Sequence, residues 1–273
     1  MALELIFNAG STLLEGPVWD AVNQLIYCVS IDQGMVYQIN VNTTNVKSFS
    51  TNGNVGCVAL LDDGTLLAAE KNGIVNIDPN SCNRTFVTQL ESNPELRYND
   101  GKLDPIGRFI VGTKSERDYF IDNNVPRGKL FSYYKGNCQT LLTDLIISNG
   151  IGFSLDHTLM YFIDSPTKKV NQYKYDIVTG TLQFDRPIIY IDGNGYPDGM
   201  CVDLEGNLWV AEWEGSRVRK WNPNTGACIA EVRLPCDRVT SCCLGGINLT
   251  DLYITTAKKE NDMLGGSLFK ITI

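Results

Sequence analysis

Four side chains hold the same place in a repeated phrase of this sequence. Glu15 precedes Asp20 by five residues, and Asn99 precedes Asp104 by five. Asn149 precedes Ser154 by five, and Asp198 precedes Asp203 by five. In each case the later residue opens a polar turn, and Glu15, Asn149 and Asp198 are each followed directly by glycine. Two carboxylates and two amides meeting at one point make an all-oxygen donor set suited to a hard cation. Ca²⁺ is the first expectation, with Mg²⁺, Zn²⁺ or Mn²⁺ as alternatives. Asn or Asp before Gly is also ordinary turn chemistry. Four such steps in register argue for assembly, because one carries a glutamate, which is not a turn former, and proline flanks two of the steps. In the third phrase glycine alignment selects Asp100 and the turn count selects Asn99, so both stay open.

Elements that could bring these residues together are legible as a repeat. Short apolar runs begin at Leu25 (LIYCVS), Leu66 (LLAAE), Phe109 (FIVGT), Met160 (MYFIDS), Leu208 (LWVAE) and Leu252 (LYITT). They are spaced by roughly 40 to 50 residues, in the range of propeller blades. Each follows a turn rich in Asp, Gly or Asn, and most are followed by a third alternating run and a hairpin signal. No apolar stripe of helical period extends over ten or more residues. The expectation is an all-β fold, a six-bladed β-propeller forming one domain over residues 1–273. A two-sheet sandwich explains neither the number of units nor their period. LELIF, from Leu3, has no unit of its own and is predicted to complete the last blade beside SLFKITI, so closing the ring. The first strand of each blade lines the channel, so the four residues would converge on its axis. Residues 115–128 form a longer polar insertion inside the third unit, predicted to lie as a flap over one mouth.

Composition narrows the function classes. The net charge of −8, with no Lys/Arg cluster interleaved with aromatics, argues against nucleic acid. The first residues lack the pattern of a signal peptide, and no run approaches the ~20 apolar residues that span a membrane. Nine cysteines, an odd number without zinc-ribbon spacing and with Cys242 next to Cys243, suggest a reducing cytoplasm. The sequons at Asn42, Asn83 and Asn248 are then chance matches. The single histidine, His157, falls in a turn, which leaves a Ser-His-Asp triad without a base. Neither a G-x-S-x-G elbow nor a Gly-rich phosphate loop is present. That absence favours metal-assisted hydrolysis. Trp19, Trp209, Trp213 and Trp221 are candidate sugar platforms, although Trp209 lies in a strand where core packing is the simpler reading.

Several stretches together resemble the senescence marker protein/regucalcin/gluconolactonase family, which also includes the luciferin-regenerating enzyme of fireflies. They are LEGPVWD from Leu14, RYNDGKLDPIGRFIVGT from Arg97, SNGIGFSLD from Ser148, YPDGMCVDLEGNLWVA from Tyr196 and VTSCCLGG from Val239. The resemblance implies a six-bladed propeller with one divalent metal in its channel. It implies Glu15, Asn149 and Asp198 as ligands, with Asn99 beside the metal and Arg97 and Asn99 contacting substrate. An acid shortly after the Gly-Thr step is also implied. Glu116 is near that place, while Arg117 competes for the matching slot.

The expected activity is lactonase: a cation polarises the carbonyl of a sugar lactone and activates water, with Asp198 as general base. A calcium-binding propeller without turnover, or a hydrolase acting on a non-sugar substrate as the luciferin-regenerating resemblance allows, would use the same residues. The sequence does not indicate an oligomeric state.

Overall fold

A computed structural model describes residues 2–273. The strands form six four-stranded antiparallel sheets. The inner strands are Leu14–Asp20, Val55–Leu60, Leu96–Leu103, Ser148–Phe153, Tyr196–Val202 and Arg238–Gly245, numbered below as blades 1 to 6. Each packs against the inner strands of the next and the previous blade, and the sixth packs against the first. That closed cycle is a six-bladed β-propeller. In blade 6 the outermost strand is Glu4–Asn8, paired antiparallel with Ser267–Thr272 so that Glu4 lies opposite Lys270. The chain's first strand therefore closes the ring, as the incomplete terminal units predict. No helix among the described residues is long and apolar enough to cross a membrane.

The turn aspartates of the repeated phrase have a local structural task. Asp20 Oδ1 accepts the amides of Val22 and Asn23, Asp104 Oδ1 those of Ile106 and Arg108, and Asp203 Oδ1 those of Glu205 and Asn207. Each fixes the hairpin between the first and second strands, which explains its recurrence. The second strands run between blades and are buried on both faces. Leu25–Ser30 and Leu66–Glu70 are accordingly continuous apolar runs, while the outermost strand Val46–Ser50 buries Phe49 alone. The core consists of layers between neighbouring blades. Tyr27, Val29, Val58, Leu66 and Ala68 fill one, and Trp209, Val218, Leu252, Ile254 and Phe269 fill another. Each such large side chain contributes about 1.5–3 kcal/mol on burial.

Near the axis the blades approach so closely that glycine is required. A Cβ on Gly199 would collide with the Ser241 side chain and come within 2.8 Å of Ser241 Cα, in blade 6. One on Gly150 would lie 2.7 Å from the Asp198 carbonyl oxygen. At Gly150 and Gly199 the X-Gly step therefore reflects inter-blade contact, whereas Gly16 is set by its left-handed backbone, φ 54°, with no close neighbour. Gly199→Ala is expected to destabilise the protein by about 1–3 kcal/mol through overpacking. A circular-dichroism melt checks this, and an unchanged Tm would mean that the two blades can part without cost.

Candidate active site

At one level of the channel, all six inner strands lose their register with the neighbouring strand. The slips fall between Glu15 and Val18, Val55 and Val58, Tyr98 and Gly101, Asn149 and Ile151, Pro197 and Met200, and Val239 and Ser241. A bulge frees a residue from the ladder and re-aims its side chain. Glu15, Asn99, Asn149 and Asp198 lie at these slips and line one cavity of about 610 Å³. Blades 2 and 6 place Gly56 and Thr240 at their slips. Gly56 has no side chain to offer, and Thr240 donates its hydroxyl to the Leu14 carbonyl at 2.6 Å. Four of six blades thus supply acid or amide side chains at this level, and the other two supply none there. Asp100 lines a separate cavity of about 230 Å³ with residues further along the same strands, including Trp19, Lys102 and Met200. The turn count, which selects Asn99, therefore identifies the cavity residue.

Hydrogen bonds fix the orientation of both amides. Asn99 Nδ2 donates to the Ser148 carbonyl at 2.8 Å, an atom that can only accept, and to Asn149 Oδ1 at 2.7 Å. Asn99 Oδ1 accepts from Arg97 Nη1 at 2.8 Å, a group that can only donate. Asn149 Nδ2 donates to Ser165 Oγ at 2.8 Å, which leaves its Oδ1 with a second lone pair. Both polar atoms of Asn99 are thus engaged with neighbours, whereas Asn149 keeps acceptor capacity.

The acids are buried and stressed. Glu15 Oε2 accepts the Gly16 amide at 2.8 Å, and Asp198 Oδ1 is buried with no hydrogen-bond partner among the described residues. Burial first, and then the Asp100 carboxylate, push the Glu15 pKa up to about 8. Asp198 is held well above the ordinary carboxylate range by burial, then by Glu15 and Asp100. Two adjacent buried carboxylates disfavour joint ionisation unless a positive charge joins them. No group of three or more His, Cys, Asp or Glu gathers among the described residues. A cation here would therefore need the two carboxylates together with amide oxygen. Glu15, Asp198 and Asn149 meet that requirement, and their all-oxygen chemistry suits a hard ion.

Across from the acids stand two cations. Arg97 is buried, its Nη1 also donating to the Tyr98 carbonyl at 2.9 Å. Lys114 is its antiparallel partner on the next strand, and burial, then Arg97, push its pKa down to about 8. The insertion between Phe109–Ser115 and Gly128–Tyr134 places Glu116, Asp118 and Phe120 on the cavity wall. The Phe120 ring packs at 4.8 Å on Tyr196, two residues before Asp198, so the flap reaches from blade 3 to blade 5. Glu116 lines the cavity and pairs with Lys71 at 2.8 Å, whereas Arg117 pairs with Asp122 at 3.3 Å outside it.

Among the tryptophans, Trp213 lines the cavity beneath the Arg238 guanidinium at 4.7 Å. Trp209 is core and donates its Nε1 to Asp203 at 3.1 Å. Trp19 faces the smaller cavity, and Trp221 is buried under Arg219. His157 is an exposed turn residue with φ of 59°. Sequence reading places selectivity in the stretch from Lys114 to Arg127 without giving Lys114 a role, and it misses Asp32 and Asn54 as wall residues. Lys114 did leave a signal, a lone cation near the end of the otherwise apolar strand FIVGTKS.

A family model described as "SMP-30/Gluconolactonase/LRE-like region" matches residues 13–258. Regucalcin of Xenopus laevis is 36% identical over 283 residues, covering 99% of this chain and 94% of its own length. Regucalcin of Homo sapiens is 33% identical over 268 residues, covering 94% and 90%. The solved structure of a luciferin-regenerating enzyme superposes with a TM-score of 0.91 at 26% identity, covering 100% of this chain and 95% of that one. With its ring of six blades and one cavity lined by Glu15, Asn99, Asn149 and Asp198, this chain belongs to the SMP-30/gluconolactonase/LRE-like family.

Proposed function

We propose that this protein is a metal-dependent lactonase that opens sugar lactones, gluconolactonase-like, in the cavity lined by Glu15, Asn149 and Asp198. The observation that carries this reading is Asp198 Oδ1, a buried carboxylate oxygen without a partner beside a second buried carboxylate. Glu15, Asn149 and Asp198 would hold the ion, with Ca²⁺ first by ligand type and Mg²⁺, Mn²⁺ or Zn²⁺ as alternatives. Asn99 takes a supporting role, holding Asn149 by one amide atom and Arg97 by the other. When bound, the cation supplies Lewis-acid polarisation of the lactone carbonyl and a lowered pKa for the attacking water. Asp198 takes a proton from that water as the new C–O bond forms. The ring C–O bond then breaks, and the proton passes to the leaving ring oxygen to give the hydroxy acid. Arg97, Asn99 and Glu116 face the rest of the ring and orient its hydroxyls. The nine unpaired cysteines fit a cytoplasmic setting.

The relatives' name, regucalcin, favours a second reading in which the same residues bind calcium without turnover. The luciferin-regenerating neighbour favours a hydrolase acting on a non-sugar substrate. A panel of aldonolactones followed by pH-stat separates the first reading from the other two, using metal-stripped protein with Ca²⁺, Zn²⁺, Mn²⁺ and Mg²⁺ added back. Lactonase action predicts turnover that disappears on stripping and returns with one of the ions. Metal binding without turnover of any lactone would favour the calcium or non-sugar readings.

A further inference from the structure

Arg97 and Lys114 are direct partners across the antiparallel pair of inner and second strands in blade 3, and both line the cavity. Cross-strand partners hold their Cβ atoms roughly 4.5–5.5 Å apart, and like charges placed so are destabilising. Burial raises that cost unless an opposite charge compensates. Neither has such a partner in contact. Lys114 Nζ makes no hydrogen bond or ion pair with any described residue, and the recorded bonds of Arg97 go to the Tyr98 carbonyl and the Asn99 amide. Asp32 and Glu116, then Glu15 and Asp198, offset Arg97 only from a distance, and Asp118, Asp198 and Asp32 do the same for Lys114. A divalent cation between Glu15 and Asp198 would claim the charge of those two, and the remaining acids also bond to Thr12, Lys71 and the Phe120 amide. An acid in direct contact with the two cations is left for the ligand to supply.

We propose that Arg97 and Lys114 form an anion-reading subsite, and that the lactones opened here carry an ionised oxygen group, carboxylate or phosphate, remote from the ring carbonyl. The substrate class rests on the lactonase reading, whereas the subsite itself does not. A guanidinium fork beside a mobile ammonium suits an anionic oxygen group better than it suits neutral hydroxyls. The 610 Å³ cavity leaves room for a hexose-sized ring together with that group.

The test combines turnover with direct binding. Hydrolysis of gluconolactone, glucarolactone and 6-phosphogluconolactone is compared on the metal-loaded protein. Calorimetry then measures gluconate, glucarate and 6-phosphogluconate on metal-loaded and metal-stripped protein. The expected result is a kcat/KM at least about tenfold higher for one ionised lactone than for gluconolactone. The favoured arm identifies carboxylate or phosphate. In Lys114→Met and Lys114→Gln that ratio collapses toward one, and in Lys114→Arg it survives. Circular dichroism confirms folding of each variant. If no lactone is opened but glucarate or 6-phosphogluconate outbinds gluconate in a Lys114-dependent way, the subsite stands and the lactonase reading falls. If turnover shows no preference, or the preference persists in both neutral variants, the subsite is overturned while the lactonase reading stands. Binding of all three acids that is equal and unchanged in Lys114→Met and Lys114→Gln, without a turnover preference, overturns it.

Discussion

Asp198→Ala is expected to reduce lactone turnover by about a thousandfold or more while leaving the propeller folded and, in metal-free form, at least as stable as the parent. The loss would follow from the two tasks proposed for one carboxylate, holding the cation and accepting the proton of the attacking water. Groups that act directly on the developing charge typically carry effects of this size. The stability half has the opposite sign. Asp198 is buried beside Glu15, and its Oδ1 is satisfied by no described residue, so the metal-free fold bears the cost of that group. Removing it relieves the repulsion and the desolvation together. Asp198→Asn keeps the shape and loses the charge, and it is expected to show the same activity loss. Steady-state rates and melting curves on all three proteins check both halves. A folded alanine variant with near-normal rates would remove Asp198 from the chemistry, and a large fall in its metal-free Tm would show that the carboxylate is structurally satisfied.

The second large effect joins metal and pH. Glu15 has its folded pKa raised from 4.5 to about 8, chiefly by burial. Between those values the folded metal-free protein binds more protons than the unfolded chain. Its stability therefore declines as pH rises through that window. Asp198, raised by the same causes, acts in the same direction. A cation held by the two carboxylates would reverse this, because it would require both ionised and so would bind more tightly as pH rises. The gain in Tm on adding Ca²⁺ should thus be small near pH 5 and grow toward pH 8. At an ion concentration a hundredfold above Kd the underlying gain in stability amounts to about 2.7 kcal/mol. Differential scanning calorimetry across the window, with chelator and with Ca²⁺, reads it directly. A metal-free Tm that stays flat from pH 5 to 8 would contradict the burial of the two acids. A Ca²⁺ shift independent of pH would place the ion at some other site.

Much of this molecule is determined locally, and so is visible in the chain. Apolar runs such as LIYCVS and LLAAE are continuous because second strands are buried on both faces, and the turns before them recur because aspartate holds two backbone amides at once. Their period sets the number of blades, and the orphan strands at the two ends predict how the ring closes. Since each inner strand begins at a fixed distance from its turn, counting residues also places Glu15, Asn99, Asn149 and Asp198 at one level. Relations between blades are decided only by tertiary structure. Asn99 and Asp100 are adjacent in sequence, yet a bulge sends one to each cavity. The choice between Glu116 and Arg117 depends on where a twelve-residue flap folds back, and Glu116 faces inward because Lys71 of blade 2 meets it there. The pairing of Arg97 with Lys114 joins residues seventeen apart in sequence through strand register, which periodicity alone does not fix. Hydropathy and turn chemistry act over a few residues and specify the blades. The protonation, orientation and company of the site residues depend on burial and on neighbours from other blades, and these exist only once the ring has closed.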